Sequence, residues 1–245
     1  MTDLRVRRGV GDGPTVLLLH GLGATSEVWD GVVAALGGAW VAPDLPGHGG
    51  SAPLSEYTFP AVADAVADLV DPERTVVLGH SFGGVVGLHL ADRPGVRAVV
   101  GLGIKVAWTD DELARAAAMA AREPARFDTR AEALTRHLRL SGLDGLVAPD
   151  APAAAAGIVE EDGRWRPALD PRVFGVGDPE MAALLAAASV PVVLARGEHD
   201  RMVSRAQLRA LVPDPVELRG LGHNAHVEDP AAVAALLARS RHDGG

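Results

Sequence analysis

Apolar residues along this chain fall into two alternating patterns. One is a short unbroken run, seen at residues 16–19, 39–42, 75–78, 97–102, 190–195 and 216–218. Glycines and prolines bound these runs, which predicts strands buried on both faces of a parallel sheet. The other pattern has a helical period. Residues 59–70 put Val62, Val66 and Leu69 on one face, and residues 82–92 put Val85, Val86, Leu88 and Leu90 together. Ser204 is a helix N-cap for residues 204–211, and Asp229-Pro230 is a cap followed by a first-turn proline for residues 231–239. Strand–helix–strand alternation of this kind predicts a layered α/β domain with right-handed crossovers.

Residues 105–188 break the alternation, since no buried strand is evident there. Thr109-Asp110-Asp111-Glu112 and Thr129-Arg130-Ala131-Glu132 are capping boxes, each opening an amphipathic helix. Leu113, Ala116 and Ala120 lie on one face of the first, and Ala131, Leu134 and Leu138 on one face of the second. Residues 148–177 read as loop, and Asp178-Pro179-Glu180 as the start of a further helix. The expected organisation is therefore a core domain of residues 1–104 and 189–245, with a helical cap inserted at 105–188.

Composition narrows the chemistry. Aromatic residues are only 4% of the 245, so the core must be built from Ala, Val and Leu. The net charge of −9 disfavours nucleic acid or an anionic membrane as a partner, since both need basic patches. There is no cysteine, so thiolate catalysis, disulfides and Cys-based metal sites are absent. No apolar signal stretch opens the chain, and the expectation is a cytoplasmic protein that meets a small molecule, not a membrane.

Gly79-His80-Ser81-Phe82-Gly83-Gly84 has the G-x-S-x-G pattern between an expected strand and an expected helix. A turn so tight has room only for glycine at positions 79 and 83. It raises the Ser81 hydroxyl beside a helix N-terminus, where negative charge is favoured. Acyl transfer also needs two N–H donors for the oxyanion. The backbone of Phe82 is one candidate. Leu22, in the loop His20-Gly21-Leu22-Gly23 after an earlier strand, is the other.

The order Ser…Asp…His along the chain suits this architecture. Arg196-Gly197-Glu198-His199-Asp200 follows a strand, and Asp200 is the favoured acid, with Glu198 its rival. The stretch Gly101-Leu102-Gly103-Ile104 carries no carboxylate. The base lies in Gly220-Leu221-Gly222-His223-Asn224-Ala225-His226, where His223 is favoured over His226. His223, His226 and Glu228 also suggest a metal site, but no HExxH helix is present. Neither metal nor cofactor is expected. Trp108, Met119, Leu134, Leu138 and His226 are the expected substrate-binding residues. The cap arginines Arg115, Arg122, Arg136 and Arg139 read as a solvated face, or as anchors for a substrate carboxylate.

These motifs, with Asp44-Leu45-Pro46-Gly47-His48-Gly49-Gly50-Ser51 and Glu228-Asp229-Pro230, resemble the α/β-hydrolase superfamily across most of residues 1–104 and 189–240. The resemblance implies a mostly parallel sheet flanked by helices, a cap, and a loop at 44–51 below the site. Haloalkane dehalogenases and epoxide hydrolases are similar but carry Asp at the nucleophile position, where this chain has Ser81. The 44–51 stretch also resembles the synthases that make succinyl-hydroxycyclohexadiene carboxylate. Where that group has an arginine after the elbow, this chain has Val85 and Val86. Three functions follow as expectations. The first is a serine hydrolase cleaving a small carboxylic ester or lactone through an acyl-enzyme. The second is a carbon–carbon bond hydrolase or lyase with the same triad, and the third a small-molecule receptor with weak turnover.

Overall fold

The computed structural model describes residues 2–239, with side chains to residue 237. The strands are β1 (Val6–Gly9), β2 (Asp12–Leu19), β3 (Gly38–Pro43), β4 (Thr75–His80), β5 (Val96–Leu102), β6 (Ile158–Glu161), β7 (Arg164–Pro167), β8 (Val192–Gly197) and β9 (Val216–Leu218). The helices are α1 (Asp30–Leu36), α2 (Phe59–Val66), α3 (Phe82–Leu88), α4 (Asp110–Ala120), α5 (Arg130–Leu140), α6 (Pro152–Ala155), α7 (Met181–Ala187), α8 (Arg205–Arg209), α9 (Ala225–Glu228) and α10 (Pro230–Arg239).

Among the described residues seven strands form one sheet in the order β1-β3-β2-β4-β5-β8-β9. All pairings are parallel except β1 with β3. The six apolar runs are its parallel strands, and β4 is buried along its whole length. β1 is the strand the apolar pattern omits. Its Val6-Arg7-Arg8-Gly9 sequence is mostly polar because it lies at an edge, where charge discourages further pairing. Arg7 there pairs with Asp30 at 2.7 Å and lies over the Trp40 ring.

Two apolar layers sandwich the sheet. Trp29, Val32, Val233, Leu236 and Leu237 pack on one side, and Val62, Val66, Val85, Val86 and Leu88 on the other. Helix boundaries follow their caps. Thr58 accepts from the Ala61 N–H to start α2, and Ser204 with Gln207 forms a capping box on α8. No described helix is long and apolar enough to cross a membrane.

The segment between β5 and β8 differs from the expected insertion of helices and loop. Both capping boxes are present and open α4 and α5. The stretch read as loop, however, contains the antiparallel hairpin β6–β7. His137 of α5 lies over Gly157, where any Cβ would stand 1.9 Å from its ring. Phe127 bridges Trp165 within the insertion, and the His48–Leu169 bridge joins the insertion to the sheet domain. Asp178 does not cap a helix. It accepts the Glu180 N–H at 2.9 Å, and α7 starts one residue later from a left-handed Glu180.

Candidate active site

The nucleophile candidate is set by backbone geometry. Ser81 has φ 50° between β4 and α3, a conformation costly for a residue with a side chain. A Cβ on Gly79 would lie 2.3 Å from the Gly83 carbonyl oxygen, and one on Gly83 2.3 Å from that of Leu19. Both positions therefore require glycine if Ser81 is to stand out of the sheet. Ser81 opens onto a cavity of about 570 Å³ that His223, Leu22 and Phe82 also line.

The candidate acid–base pair comes from two loops at the ends of β8 and β9. His223 Nδ1 lies 3.1 Å from Asp200 Oδ2. The carboxylate only accepts, so Nδ1 carries the proton and Nε2 keeps its basic lone pair. Asp200 is fully buried at its side chain, and its Oδ1 accepts the Met202 N–H at 2.8 Å. The rival carboxylate, Glu198, is exposed and accepts the Gly220 N–H instead. The rival base, His226, is buried between Trp29 and His80, with ring centroids at 4.7 and 4.3 Å. Burial and the neighbouring His223 and His20 hold it down to about 3, so it stays neutral.

The expected oxyanion donors also face the cavity. Phe82 is the first residue of α3, where N–H groups lack intrahelical acceptors. Among the described residues no backbone carbonyl takes the Leu22 N–H. His20 shapes that loop. Its Nε2 accepts the Leu45 N–H at 2.8 Å, which leaves Nδ1–H to donate to the Gly21 carbonyl at 2.9 Å.

Sequence reasoning missed two residues that hold this arrangement. Arg196, buried at the end of β8, donates to the carbonyls of Glu198, Asp200 and Val203 at 2.9–3.0 Å. Glu217 of β9 balances its charge at 2.6 Å. One guanidinium thus shapes the whole acid-bearing loop, and its only sequence signal is a charge ending an apolar strand. The second is Gly103, with φ +64°. A Cβ there would lie 3.2 Å from His223 Nδ1 and 3.3 Å from Asp200 Oδ2.

The walls differ from expectation. Trp108 lines the cavity, with Leu113, Ala116 and Ala117 of α4 and with Phe174. Leu134 and Leu138 do not, because α5 buries that face in the apolar layer with Ala154 and Ile158 of the hairpin region. Only the end of α5, Arg139 and Leu140, reaches the cavity. Met119 lines a separate space of about 130 Å³ with Arg122 and Arg136. His226 is a packed histidine, not a wall. Arg139 is 68% exposed, pairs loosely with Asp144 at 3.6 Å, and stands at the edge of the cavity. Lys105, which the sequence reading left without a role, lines the cavity, pairs with Glu112 at 2.6 Å and lies over the Trp108 ring. Among the described residues no group of three or more His, Asp or Glu is placed to hold a metal.

A strained serine at a strand–helix turn thus opens onto the same cavity as a histidine paired to a carboxylate. Residues 16–236 match the model of the alpha/beta hydrolase family, and the chain belongs to that family. It is similar over its length to 2-succinyl-6-hydroxy-2,4-cyclohexadiene-1-carboxylate synthase of Klebsiella pneumoniae, with 29% identity over 96% of each. A pimeloyl-[acyl-carrier protein] methyl ester esterase of Aeromonas hydrophila is 44% identical over 33% of each chain. An uncharacterized protein of Mycobacterium tuberculosis is 43% identical over 93 residues, which span 36% of this chain but only 27% of that relative. Among solved structures, a thioesterase domain from the curacin biosynthetic pathway superposes with TM-score 0.78 at 20% identity, covering 97% of this chain and 95% of that one. An esterase of Mycobacterium tuberculosis gives 0.77 at 24% identity, covering 98% and 89%. At such identities these structures establish the shared fold.

Proposed function

We propose that this protein is a serine hydrolase that cleaves a small, largely apolar carboxylic ester or lactone through an acyl-enzyme. The observation carrying this reading is the His223–Asp200 pair opening, with the strained Ser81, onto one apolar-walled cavity. Its volume of about 570 Å³ falls in the usual range for small-molecule sites. The segment over it, residues 105–188, acts as a cap that supplies most of the apolar wall.

The steps follow from the chemistry of the groups. His223 Nε2 takes the Ser81 proton as Oγ attacks the carbonyl carbon. The Leu22 and Phe82 N–H groups hold the resulting oxyanion. His223 gives its proton to the departing alcohol, leaving Ser81 acylated. It then deprotonates water, which attacks the acyl carbon and releases the acid. Asp200 orients the imidazole and stabilises its charged form. No cofactor enters these steps. Losing one oxyanion donor costs roughly 10²–10³ in kcat in such enzymes.

The full-length likeness to a synthase favours a second reading, carbon–carbon cleavage by the same three residues. A panel of p-nitrophenyl esters of graded length, lactones and vinylogous diketones separates the two on wild type and Ser81→Ala. Ester turnover lost in Ser81→Ala supports the hydrolase. Turnover of diketones alone supports the second reading. Ligand binding without turnover of any panel member points to a receptor and overturns both.

A further inference from the structure

His80 ends β4, directly before Ser81, and is 3% exposed. Its Nε2 lies 3.0 Å from the main-chain carbonyl oxygen of His223. A carbonyl can only accept, so Nε2 carries the proton and donates it. The two imidazole centroids are 4.7 Å apart. On its other side the ring meets the oxyanion loop, where a Cβ on Gly21 would lie 2.6 Å from His80 Nδ1. One buried ring therefore touches the neighbour of the nucleophile, the main chain of the base and the loop carrying Leu22. Its Nδ1 is buried without a hydrogen-bond partner, as is Nδ1 of His226. Burial, with His226 and His223 nearby, keeps the ring uncharged well below its ordinary range, so it serves as a fixed donor and not a proton carrier.

We infer that His80 is a positioning residue for the general base: its Nε2–H tethers the main chain of His223 and thereby sets where that imidazole stands relative to Ser81. This rests on the triad reading above. Histidine adjacent to the nucleophile thus couples the strand–turn–helix to the last loop of the sheet, two regions 143 residues apart in sequence.

The reach of side-chain amides tests it. A glutamine Nε2 stands about where a histidine Nε2 does, whereas an asparagine amide stops near Nδ1. His80→Gln keeps the donor to His223, His80→Asn loses it, and His80→Phe fills the volume without one. Each variant is assayed for kcat and KM on p-nitrophenyl butyrate, for fluorophosphonate labelling rate, and for melting temperature. The Asn and Phe variants should lose about tenfold or more in kcat and labelling rate with KM within about twofold, and Gln should recover to within about threefold. A packing role alone makes Gln and Asn fall alike, in step with melting temperature, and overturns the inference. So does a loss confined to KM, or a wild-type rate in the Asn variant. Ser81→Ala is run in parallel. If it retains turnover, the triad reading falls and His80 with it. If it is dead while His80→Asn is fully active, only the His80 assignment falls.

Discussion

The rim of the sheet and the insertion above it hold their residues by different means. At the rim, position is a property of the backbone. Gly79 and Gly83 leave room for a turn that forces Ser81 to φ 50°, and Arg196 gathers three carbonyls to shape the Asp200 loop. In the insertion, position is a property of side-chain packing. α5 turns Leu134 and Leu138 into the apolar layer because the hairpin β6–β7 covers them, while α4 is left to face the cavity with Leu113, Ala116 and Ala117. The two regions meet where Asn224 donates to the Gly142 carbonyl at 2.9 Å, next to His223. The contrast teaches that changes at the rim should act on kcat, and changes in the insertion on stability or on substrate preference.

The largest effect should come from Asp200→Asn. An amide in place of the carboxylate no longer enforces the Nδ1–H form of His223, and kcat should fall by roughly 10⁴ at neutral pH. A loss under about tenfold would show that the pair does not support catalysis and would end the contrast at the rim. Arg196→Met comes next. Alone it leaves Glu217, a quarter exposed, facing only Arg205 at 3.8 Å, so stability should fall by about 1–3 kcal/mol. Combining it with Glu217→Gln should restore much of the stability but leave kcat about 10–100-fold low, because the acid loop is still untethered. Chemical denaturation and steady-state kinetics on the single and double variants separate these outcomes.

On the insertion side, Leu138→Ala should destabilise by about 2–5 kcal/mol through an unfilled cavity, with KM values across an ester series unchanged. A shift in chain-length preference would mean that Leu138 lines the site after all. Acid should unfold the protein through its buried histidines. Burial holds His48 and His226 down to about 3, and His20 and His80 are lowered too, so all four are neutral when folded. The unfolded chain takes up protons first, near its ordinary value of about 6.5. For His48 and His226 the stabilising contribution is therefore present above that pH and is lost as pH falls towards about 3, at about 1.4 kcal/mol per pH unit for each, and His20 and His80 act in the same direction. Melting temperature should drop steadily below roughly pH 6, and His226→Phe should flatten the slope; an unchanged slope would contradict the neutral, buried assignment. The smallest effect is expected of Leu113→Ala. It should alter KM for long acyl esters by about 1–2 kcal/mol while sparing kcat for acetate and sparing stability.

Ser81, Asp200, His223 and the six parallel strands were legible along the chain because each depends on local chemistry. A continuous apolar run is buried wherever it pairs, and a turn that excludes every Cβ must be written in glycine. β1 was not legible, since an edge strand need not be apolar, and neither was the hairpin, whose short polar strands read as loop. The cavity walls depended on that hairpin. An amphipathic face announces that it will be buried but not against what, so Leu113 and Leu138 look equivalent in sequence. The same holds for Arg196 and Gly103, whose roles arise only when the ends of β5, β8 and β9 come together. By itself the sequence determined the fold class, the elbow and which histidine and carboxylate form a pair. Tertiary structure decided which residues surround the substrate and which hold the acid and base in place, because those roles belong to contacts between segments that no local pattern encodes.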